Sequence, residues 1–339
     1  MAVKYTKINN RRYLGNKYSL LHFITGVVRD NCDDFDIFTD IFAGTGAVSS
    51  AFTDKQLNTN DILFSNYISN TAWFSPESYD SIKLEELICG YNSLDGNEEN
   101  YMTENYSDTY FSRSVCSRIG HIRQDIENRK NSRDINNREY AILITSLLYA
   151  MDRIANTCGH YDAYRKKTDL SGQVLELRML STLKGLNKNN HCYNEDSNEL
   201  AKKIKGGLVY LDPPYNSRQY CDAYHLVENV ARWDKPEVFG VAGKMDRSSL
   251  KSKYCTRSAP KVFEDLIRNL DAQYILVSYN NMENKGNDRS NARISDREIL
   301  DSLSSRGTVS IFTEDYKAFT TGKSDRRDNQ ERLFLCRCL

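Results

Sequence analysis

The chain has 339 residues, of which 40% are hydrophobic and 27% are charged. This balance is typical of a globular protein and excludes a disordered one, and the length suffices for one large α/β domain or two ordinary domains. Lys and Arg total 46, as do Asp and Glu, so the formal net charge is zero. That balance argues against a chain that is basic throughout, but it is compatible with a local basic cleft.

The sequence also argues against several other classes of protein. No apolar run approaches the 18 or so residues of a membrane-spanning helix, so we expect no contact with a membrane. The first residues are basic without an apolar segment, so we expect no secretory signal. The nine cysteines are odd in number and form no Cys-x-x-Cys pair. This disfavours a disulfide framework and a zinc ribbon, predicts no metal site and favours a reducing cytoplasm.

In chain order, the pattern first predicts a buried strand over residues 36–43, which leads into the turn Gly44-Thr45-Gly46. A helix over 47–52, a short strand that ends near residues 60–61 and a helix over 62–73 follow. From about 74 to 190 the alternation of strands and helices stops. This stretch is polar and rich in Tyr, Asn and Arg, with one clear amphipathic helix over 138–153.

The alternation resumes with strands over 191–194, 207–212 and 273–279 and helices over 197–204, 224–233 and 295–304. Two strands, 308–313 and 332–338, follow with a polar linker between them. Strands that alternate with helices predict a mostly parallel sheet, and the last two strands predict an antiparallel hairpin at its edge. We therefore expect an α/β, Rossmann-like domain formed by 1–73 and 191–339, with 74–190 as an insertion.

The segment most specific for a function is Asp212-Pro213-Pro214-Tyr215, at the end of a predicted strand. Ligands bind at this end of strands in open α/β sheets, and the prolines fix the following turn. Asp212 and the Pro213 carbonyl can accept hydrogen bonds from an exocyclic amino group while Tyr215 stacks on the ring. Because the chain has only five prolines, the adjacent pair favours a function over a plain rigid turn.

Three other segments are less specific. The turn Gly44-Thr45-Gly46 lets the backbone approach a ligand, but it lacks the Gly-Lys-Ser/Thr of a Walker A loop and the third glycine of a dinucleotide fingerprint. An ordinary turn is equally compatible with it. Arg12–Lys17 taken alone is better interpreted as a solvated basic segment. Asp196 either caps the following helix or hydrogen-bonds a ligand.

Taken together and in this order, the motifs resemble those of the adenine-specific DNA methyltransferases of the Dam-containing class, including many type II restriction–modification methylases. That family has a basic N-terminal segment, an FxGxG cofactor loop, a recognition insertion and a DPPY motif. The counterparts here are Arg12–Lys17, Phe42–Gly46, residues 74–190 and Asp212–Tyr215. The segments 155–162, 216–220, 224–226, 278–280 and 332–335 also look similar.

The resemblance implies a Rossmann-like S-adenosylmethionine-dependent methyltransferase sheet with an inserted DNA-recognition region. Lys17 would lie near the methionine end of S-adenosylmethionine, Asp61 would contact its ribose, and Asp196 would correspond to the acid beside its adenine. The departures from the family pattern, Asn16 and FAGTG, should not abolish cofactor binding. The implied cofactor-binding residues are Arg12, Tyr13, Lys17, Asp40, Phe42, Ala43, Gly44, Thr45, Gly46, Asp61, Asp196 and Asp212.

The implied reaction is methyl transfer to N6 of adenine in double-stranded DNA, as the modification half of a restriction–modification system. The target base would be flipped out of the stack and held by the catalytic residues Asp212, Pro213, Pro214 and Tyr215, without a metal or a covalent intermediate. A cognate restriction endonuclease could accompany the enzyme without forming an obligatory complex. We expect it in the cytoplasm, encoded by a bacterium, archaeon or phage.

DNA contacts are expected from the basic clusters, although a run of charges is usually only a solvated face. Interleaved Tyr residues and the zero net charge elsewhere favour a focused phosphate-binding cleft. Residues 113–138 form one of these basic clusters. No motif in the chain identifies the DNA sequence that is recognised. The predicted DNA-binding residues are Arg165, Lys166, Lys167, Arg218, Lys244, Arg247, Lys251 and Lys253.

Several alternatives remain open. The first is methylation of RNA adenine or of a protein glutamine, but Asp rather than Asn at position 212 disfavours glutamine, and a large insertion suits duplex recognition. The second is N4-cytosine methylation, whose enzymes more often have Ser at this position. The third is a catalytically inactive DNA-binding specificity module. The presence of both the cofactor loop and the DPPY motif argues against it.

Overall fold

The computed structural model describes residues 3–183, 185–280, 292–315 and 330–339. Within these ranges the strands are β1 (Tyr5–Thr6), β2 (Ile37–Asp40), β3 (Gln56–Asn60), β4 (Met179–Leu180), β5 (His191–Tyr193), β6 (Leu208–Leu211), β7 (Tyr274–Asn280), β8 (Gly307–Asp315) and β9 (Gln330–Cys338). The helices are α1 (Leu21–Asn31), α2 (Phe64–Phe74), α3 (Ser81–Asn92), α4 (Tyr101–Tyr106), α5 (Arg113–Asn131), α6 (Asn137–Ile154), α7 (Ser197–Ala201), α8 (Tyr220–Ala223), α9 (His225–Arg232), α10 (Ala259–Asn269) and α11 (Asp296–Ser304).

The chain forms two compact units. The first unit comprises Met1–Asn16, Leu63–Leu186 and Cys221–Ser248, and the second comprises Lys17–Ile62, Asn187–Tyr220 and Ser249–Leu339. In the part of the chain that the structure describes, no helix is both long and apolar enough to cross a bilayer.

The second unit contains a seven-stranded sheet in the order β5-β3-β2-β6-β7-β9-β8. The first five strands in this order are parallel, and β9 is antiparallel to both β7 and β8. The prediction of a mostly parallel α/β sheet with an antiparallel C-terminal hairpin is thus confirmed. The polar linker predicted between the last two strands falls largely at 316–329, outside the described residues.

The core of this unit lies between the sheet and the helices α7, α10 and α11. All four residues of β6 are buried, as expected for a central parallel strand that is covered on both faces. Phe263 and Leu266 of α10 and Ile299 of α11 pack in the same apolar cluster as Val277 of β7. The sequence analysis missed α10, although Pro260 in its first turn is a residue that favours helix starts.

Two other predicted elements of the second unit need correction. The helix predicted over 47–52 is only a 3-10 turn over Ser49–Ala51. The helix predicted over 197–204 ends at Ala201. With three and five residues respectively, neither segment completes two helical turns.

The first unit is helical apart from the short parallel pair β1 and β4. The helix predicted over 138–153 is confirmed as α6, but the sequence pattern did not reveal α3, α4 and α5, which lie in the same stretch. N-caps begin all four helices, at Asp80, Asn100, Ser112 and Asn136. In α5 the polar composition conceals a buried face that includes Ile119, Ile122 and Ile126, at helical spacing.

The first unit also includes α9, from a part of the sequence that we assigned to the catalytic scaffold. The side chain of Arg123 on α5 is fully buried and donates hydrogen bonds to the carbonyl oxygens of Val230 (2.8 Å) and Ala231 (3.1 Å). Asn229 donates to the hydroxyl of Tyr106 at 2.7 Å. The functional division into a scaffold and a recognition insertion stays a prediction.

Candidate active site

The carboxyl ends of β2, β3 and β6 lie at one edge of the sheet, because these strands are parallel neighbours. Asp40 at the end of β2 is in register with Thr59 of β3 and Tyr210 of β6. Asp61 and Asp212 come directly after β3 and β6. The structure therefore brings Asp40, Asp61 and Asp212 to the same edge.

The glycine loop after β2 has a backbone conformation that favours glycine at two positions. Gly44 has a φ of 51° and Gly46 a φ of 77°, both in the left-handed region where a side chain is strained. The N–H of Gly44 donates to Oδ2 of Asp61 at 3.0 Å, and the N–H of Ala43 donates to the Asn60 carbonyl at 2.9 Å. Strand β3 and the acid that follows it thus hold the loop in place.

Asp40 is buried beneath this loop with only 1% of its surface exposed. Its Oδ2 accepts a hydrogen bond of 2.9 Å from the Ser49 hydroxyl. Burial, with a further contribution from the charges of Asp212 and Asp61, raises the pKa of Asp40 to about 8. Asp40 is therefore mostly neutral at pH 7, and its carboxyl group anchors the turn that carries Ser49.

Asp212 belongs to a cluster of polar and charged groups that we call the Lys17 cluster: Lys17, Asp212, Glu331 and Ser278. All are buried except Asp212, whose side chain is 20% exposed. The Lys17 Nζ lies 3.2 Å from Oδ1 of Asp212 and 3.0 Å from Oε1 of Glu331. The same Glu331 oxygen accepts a hydrogen bond of 2.6 Å from the Ser278 hydroxyl. One ammonium group is thus shared by two carboxylates from different strands of the sheet.

The surroundings of the Lys17 cluster raise the pKa values of both Asp212 and Lys17. Burial, together with the negative charge of Glu331, outweighs Lys17 and raises the pKa of Asp212 to about 6. Burial alone would lower the pKa of Lys17, but the two carboxylates raise it well above its usual value. At neutral pH Lys17 is therefore protonated, and Asp212, with a pKa of about 6, is mostly ionised.

The backbone after Asp212 is fixed at Tyr215. Its carbonyl oxygen accepts hydrogen bonds from the Arg293 N–H at 2.8 Å and from the Tyr279 hydroxyl at 3.3 Å. Pro213 is buried and Pro214 is partly buried. Tyr215 is partly exposed and packs against the apolar core of the unit, so its ring is supported on one side.

Two further predicted cofactor residues of the second unit are Phe42 and Asp196. Phe42 contacts Tyr254 edge to face, with ring centroids 5.1 Å apart, and the Tyr254 hydroxyl donates to Asn198 at 2.8 Å. Asp196 is exposed and caps α7, accepting hydrogen bonds from the N–H groups of Asn198 and Glu199. The cap is therefore real, and an additional role in cofactor binding stays a prediction.

The basic N-terminal segment is divided between the two units. Lys17 is the member that lies beside Asp212. Arg12 is exposed in the first unit, where Tyr13 stacks on Tyr224 with ring centroids 4.6 Å apart. The interpretation of this segment as merely solvated is wrong for Lys17, which is 8% exposed.

The predicted DNA-binding residues differ in their surroundings. Lys244 donates to Asp162 at 2.6 Å, and Arg247 donates to Asp222 at 2.7 Å, so both charges are already balanced within the first unit. The others are exposed at the surface of their own unit: Arg165, Lys166 and Lys167 in the first, and Arg218, Lys251 and Lys253 in the second.

Sequence reasoning missed Glu331, Ser278, Ser49 and Tyr254 as members of the site. Ser278 and the residues after Glu331 were noted only as resembling the family. A weak signal was present for Glu331, since it directly precedes the predicted strand 332–338, and a carboxylate that is buried there needs a partner. The identity of that partner could not be deduced, because Lys17 lies near the other end of the sequence.

The sequence of the chain is similar to those of known proteins. A family model described as D12 class N6 adenine-specific DNA methyltransferase matches residues 13–288. The chain is 38% identical to the modification methylase StsI of Streptococcus sanguinis over 80% of this chain and 44% of that protein. It is 34% identical to the type II methyltransferase M.FokI of Planomicrobium okeanokoites over 95% of this chain and 52% of that protein.

The chain thus spans about half the length of these two relatives. It matches nearly the full length of a third, the type II methyltransferase M.NlaIII of Neisseria lactamica, with 32% identity over 94% of this chain and 95% of that protein.

Proposed function

Because the chain belongs to the D12 class of N6 adenine-specific DNA methyltransferases, we propose that it methylates N6 of adenine in double-stranded DNA as the modification enzyme of a type II restriction–modification system. The observation that carries this proposal is the placement of Asp212 and the turn Pro213-Pro214-Tyr215 at the carboxyl end of β6. There Lys17 holds the Asp212 carboxylate at 3.2 Å.

We propose S-adenosylmethionine as the methyl donor, and the residues at the sheet edge fit this molecule. Gly44 and Gly46 leave room for a close approach to the backbone, since neither carries a side chain. The Asp61 carboxylate lies at the same loop and suits the hydroxyl groups of a ribose. When bound, S-adenosylmethionine supplies a methyl group on a positively charged sulfur.

The residues of β6 and the following turn position the acceptor. Asp212 and the Pro213 carbonyl accept hydrogen bonds from the two protons of the exocyclic amine, which directs the nitrogen lone pair away from them. Tyr215 stacks on the flipped base. As the bond from the methyl group to N6 forms and its bond to sulfur breaks, N6 loses one proton. Asp212, with a pKa near neutrality, is suited to accept it.

We propose that the exposed basic residues bind phosphates and that residues 74–190 read the sequence. Arg165, Lys166 and Lys167 support the first part, because they form a short exposed run. Phosphate contacts fix position and supply affinity, whereas base edges supply specificity. A cognate restriction endonuclease would act on the same DNA without a lasting complex.

The test is transfer of a labelled methyl group from S-adenosylmethionine to defined nucleic acids by the purified protein. We expect N6-methyladenine in duplex DNA at one short sequence, formed much more slowly by Asp212→Ala purified in parallel. Label in N4-methylcytosine or only in RNA would contradict the substrate. No transfer, despite specific DNA binding, would indicate a non-catalytic specificity module.

A further inference from the structure

We propose that Glu331 is a positioning residue that controls the charge on Asp212 through their shared partner, Lys17. The role rests on the proposed function, because Asp212 is the group expected to hold the target amine. Glu331 would not touch the base itself. It would keep Lys17 from neutralising the Asp212 carboxylate, so that this carboxylate remains a strong hydrogen-bond acceptor and proton acceptor.

The geometry makes the sharing specific. The two distances from the Lys17 Nζ, 3.0 Å to Glu331 and 3.2 Å to Asp212, are nearly equal. Glu331 cannot move away easily, because the Ser278 hydroxyl donates to the oxygen that contacts Lys17. Glu331 is 3% exposed and Lys17 is 8% exposed, so solvent does little to screen these charges.

The register of the sheet explains why Glu331 lies there. Leu211, the last residue of β6, is in register with Val277 of β7, so Asp212 comes level with Ser278. Glu331 of β9 is in register with Asn280 of β7, two residues further along. Ser278 and Asn280 are two residues apart on β7, so their side chains lie on the same face of the sheet. Glu331, which pairs with Asn280, lies on that face too, diagonally across from Ser278.

Among the groups around Asp212, Glu331 is the main source of negative potential at the Asp212 carboxylate. Asp40 faces Asp212 from β2, but burial raises its pKa to about 8, so it is mostly protonated at pH 7. Tyr210 on β6 and Tyr215 in the following turn both have raised pKa values, with burial as the main cause, and are neutral. Among the described residues facing the pair, Lys17 lowers and Glu331 raises the pKa of Asp212.

A purely structural role would be different. Glu331 could simply attach β9 to Lys17, and its loss would then weaken the fold without altering the acidity of Asp212. The two roles are separated by measuring that acidity directly in the unliganded protein.

The experiment is a carbon-13 NMR titration of labelled Asp carboxyl groups, with the Asp212 signal identified by its loss in Asp212→Asn. In Glu331→Gln we expect the Asp212 pKa to fall by about one unit, since a buried negative neighbour is removed. Glu331→Asp keeps the charge but shortens the side chain, so its value should lie between those of the wild type and Glu331→Gln. Glu264→Gln, which removes an exposed carboxylate on α10, is the control and should leave it unchanged.

An unchanged Asp212 pKa in Glu331→Gln would overturn the proposal. If Glu331→Gln does not fold, Glu331→Asp takes its place, and an unchanged Asp212 pKa in that variant would likewise overturn the proposal. Methyl transfer against pH is the second measurement: the acid limb of the rate should shift to lower pH with the carboxyl titration. If the Asp212 pKa falls in Glu331→Gln as expected but the wild type transfers no methyl group, the proposed function is contradicted. The charge coupling between Glu331 and Asp212 would still stand.

Discussion

The backbone N–H of Gly44 donates a hydrogen bond of 3.0 Å to the side chain of Asp61. Gly44 follows β2 and Asp61 follows β3, so this bond joins the ends of two neighbouring strands at the edge where the site lies. The carboxylate therefore has two tasks in the proposed site: it holds the loop and offers acceptors to a ribose. Gly44 itself has a φ of 51°, in the left-handed region where a residue with a side chain is strained.

Gly44→Val should lower the affinity for S-adenosylhomocysteine at least about tenfold, because a β-branched side chain is strained at this φ and would occupy the space left for the ligand. Calorimetric titration measures the affinity. Gly26→Val is the matched control, since a Cβ on this residue of α1 meets nothing within 4 Å. Equal affinities for the two variants would mean that the loop is only a structural turn.

Asp212→Ala should reduce the rate of methyl transfer by about 10²- to 10⁴-fold, the range typical of a lost acid–base group. Binding of S-adenosylhomocysteine should remain nearly intact, because the carboxylate addresses the target amine and Lys17 keeps Glu331 as a partner. Rapid-quench rates and calorimetry measure the two effects separately. A collapse of ligand binding in a folded variant would contradict this division between the motifs.

Asp40→Asn should flatten the dependence of stability on pH. In the folded state the pKa of Asp40 is about 8, against 3.8 when it is unperturbed. The folded protein therefore holds a proton that the unfolded chain releases, and this contribution to stability is complete below about pH 4 and lost as the pH rises through 8. Asn mimics the protonated acid at every pH.

Urea unfolding at pH 6 and pH 9 tests this prediction. The free energy of unfolding should fall more for the wild type than for Asp40→Asn between the two values, since the other titrating groups are common to both proteins. An identical fall would show that Asp40 is ionised in the folded state.

The mostly parallel sheet with its antiparallel C-terminal hairpin and the strand-end position of the DPPY motif were predictable, because both follow from local sequence patterns. Alternating strands and helices specify a parallel sheet, and the carboxyl ends of its strands then place Asp40, Asp61 and Asp212 together. The Lys17 cluster was not predictable, because it joins residues from the two ends of the sequence. The helices α3, α4 and α5 were missed because buried polar residues such as Arg123 on α5 are satisfied only by tertiary partners, which composition does not reveal.

Lys166→Gln should weaken binding to all DNA sequences alike and reduce the slope of log affinity against log salt by about one. Lys244→Gln is the comparison, since its ammonium already pairs with Asp162 at 2.6 Å and should release fewer counterions on binding. Fluorescence anisotropy at several salt concentrations measures both slopes. Equal slopes would mean that the pair of Lys244 and Asp162 opens when DNA binds.

The last prediction concerns specificity, which we place in residues 74–190. A chimaera that carries this block from a relative with another target should methylate the relative's site. The structure makes the choice of boundary important, because Arg123 from the block donates to the carbonyl oxygens of Val230 and Ala231 in α9. A second chimaera should therefore exchange Leu63–Leu186 together with Cys221–Ser248, the segments that form the first unit with the N-terminus.

We expect the second chimaera to be the more stable of the two, because α5 and α9 then come from the same protein and keep the contacts of Arg123. Both should show the relative's specificity when methylated DNA is sequenced. A single Arg that reads a guanine should cost about 1–3 kcal/mol on removal and relax the site at one position. If the first chimaera folds, binds S-adenosylhomocysteine and keeps the original site while the second changes it, the readout lies in Cys221–Ser248. If both keep the original site, readout belongs to the second unit, where the exposed Lys251 and Lys253 would be the next residues to exchange.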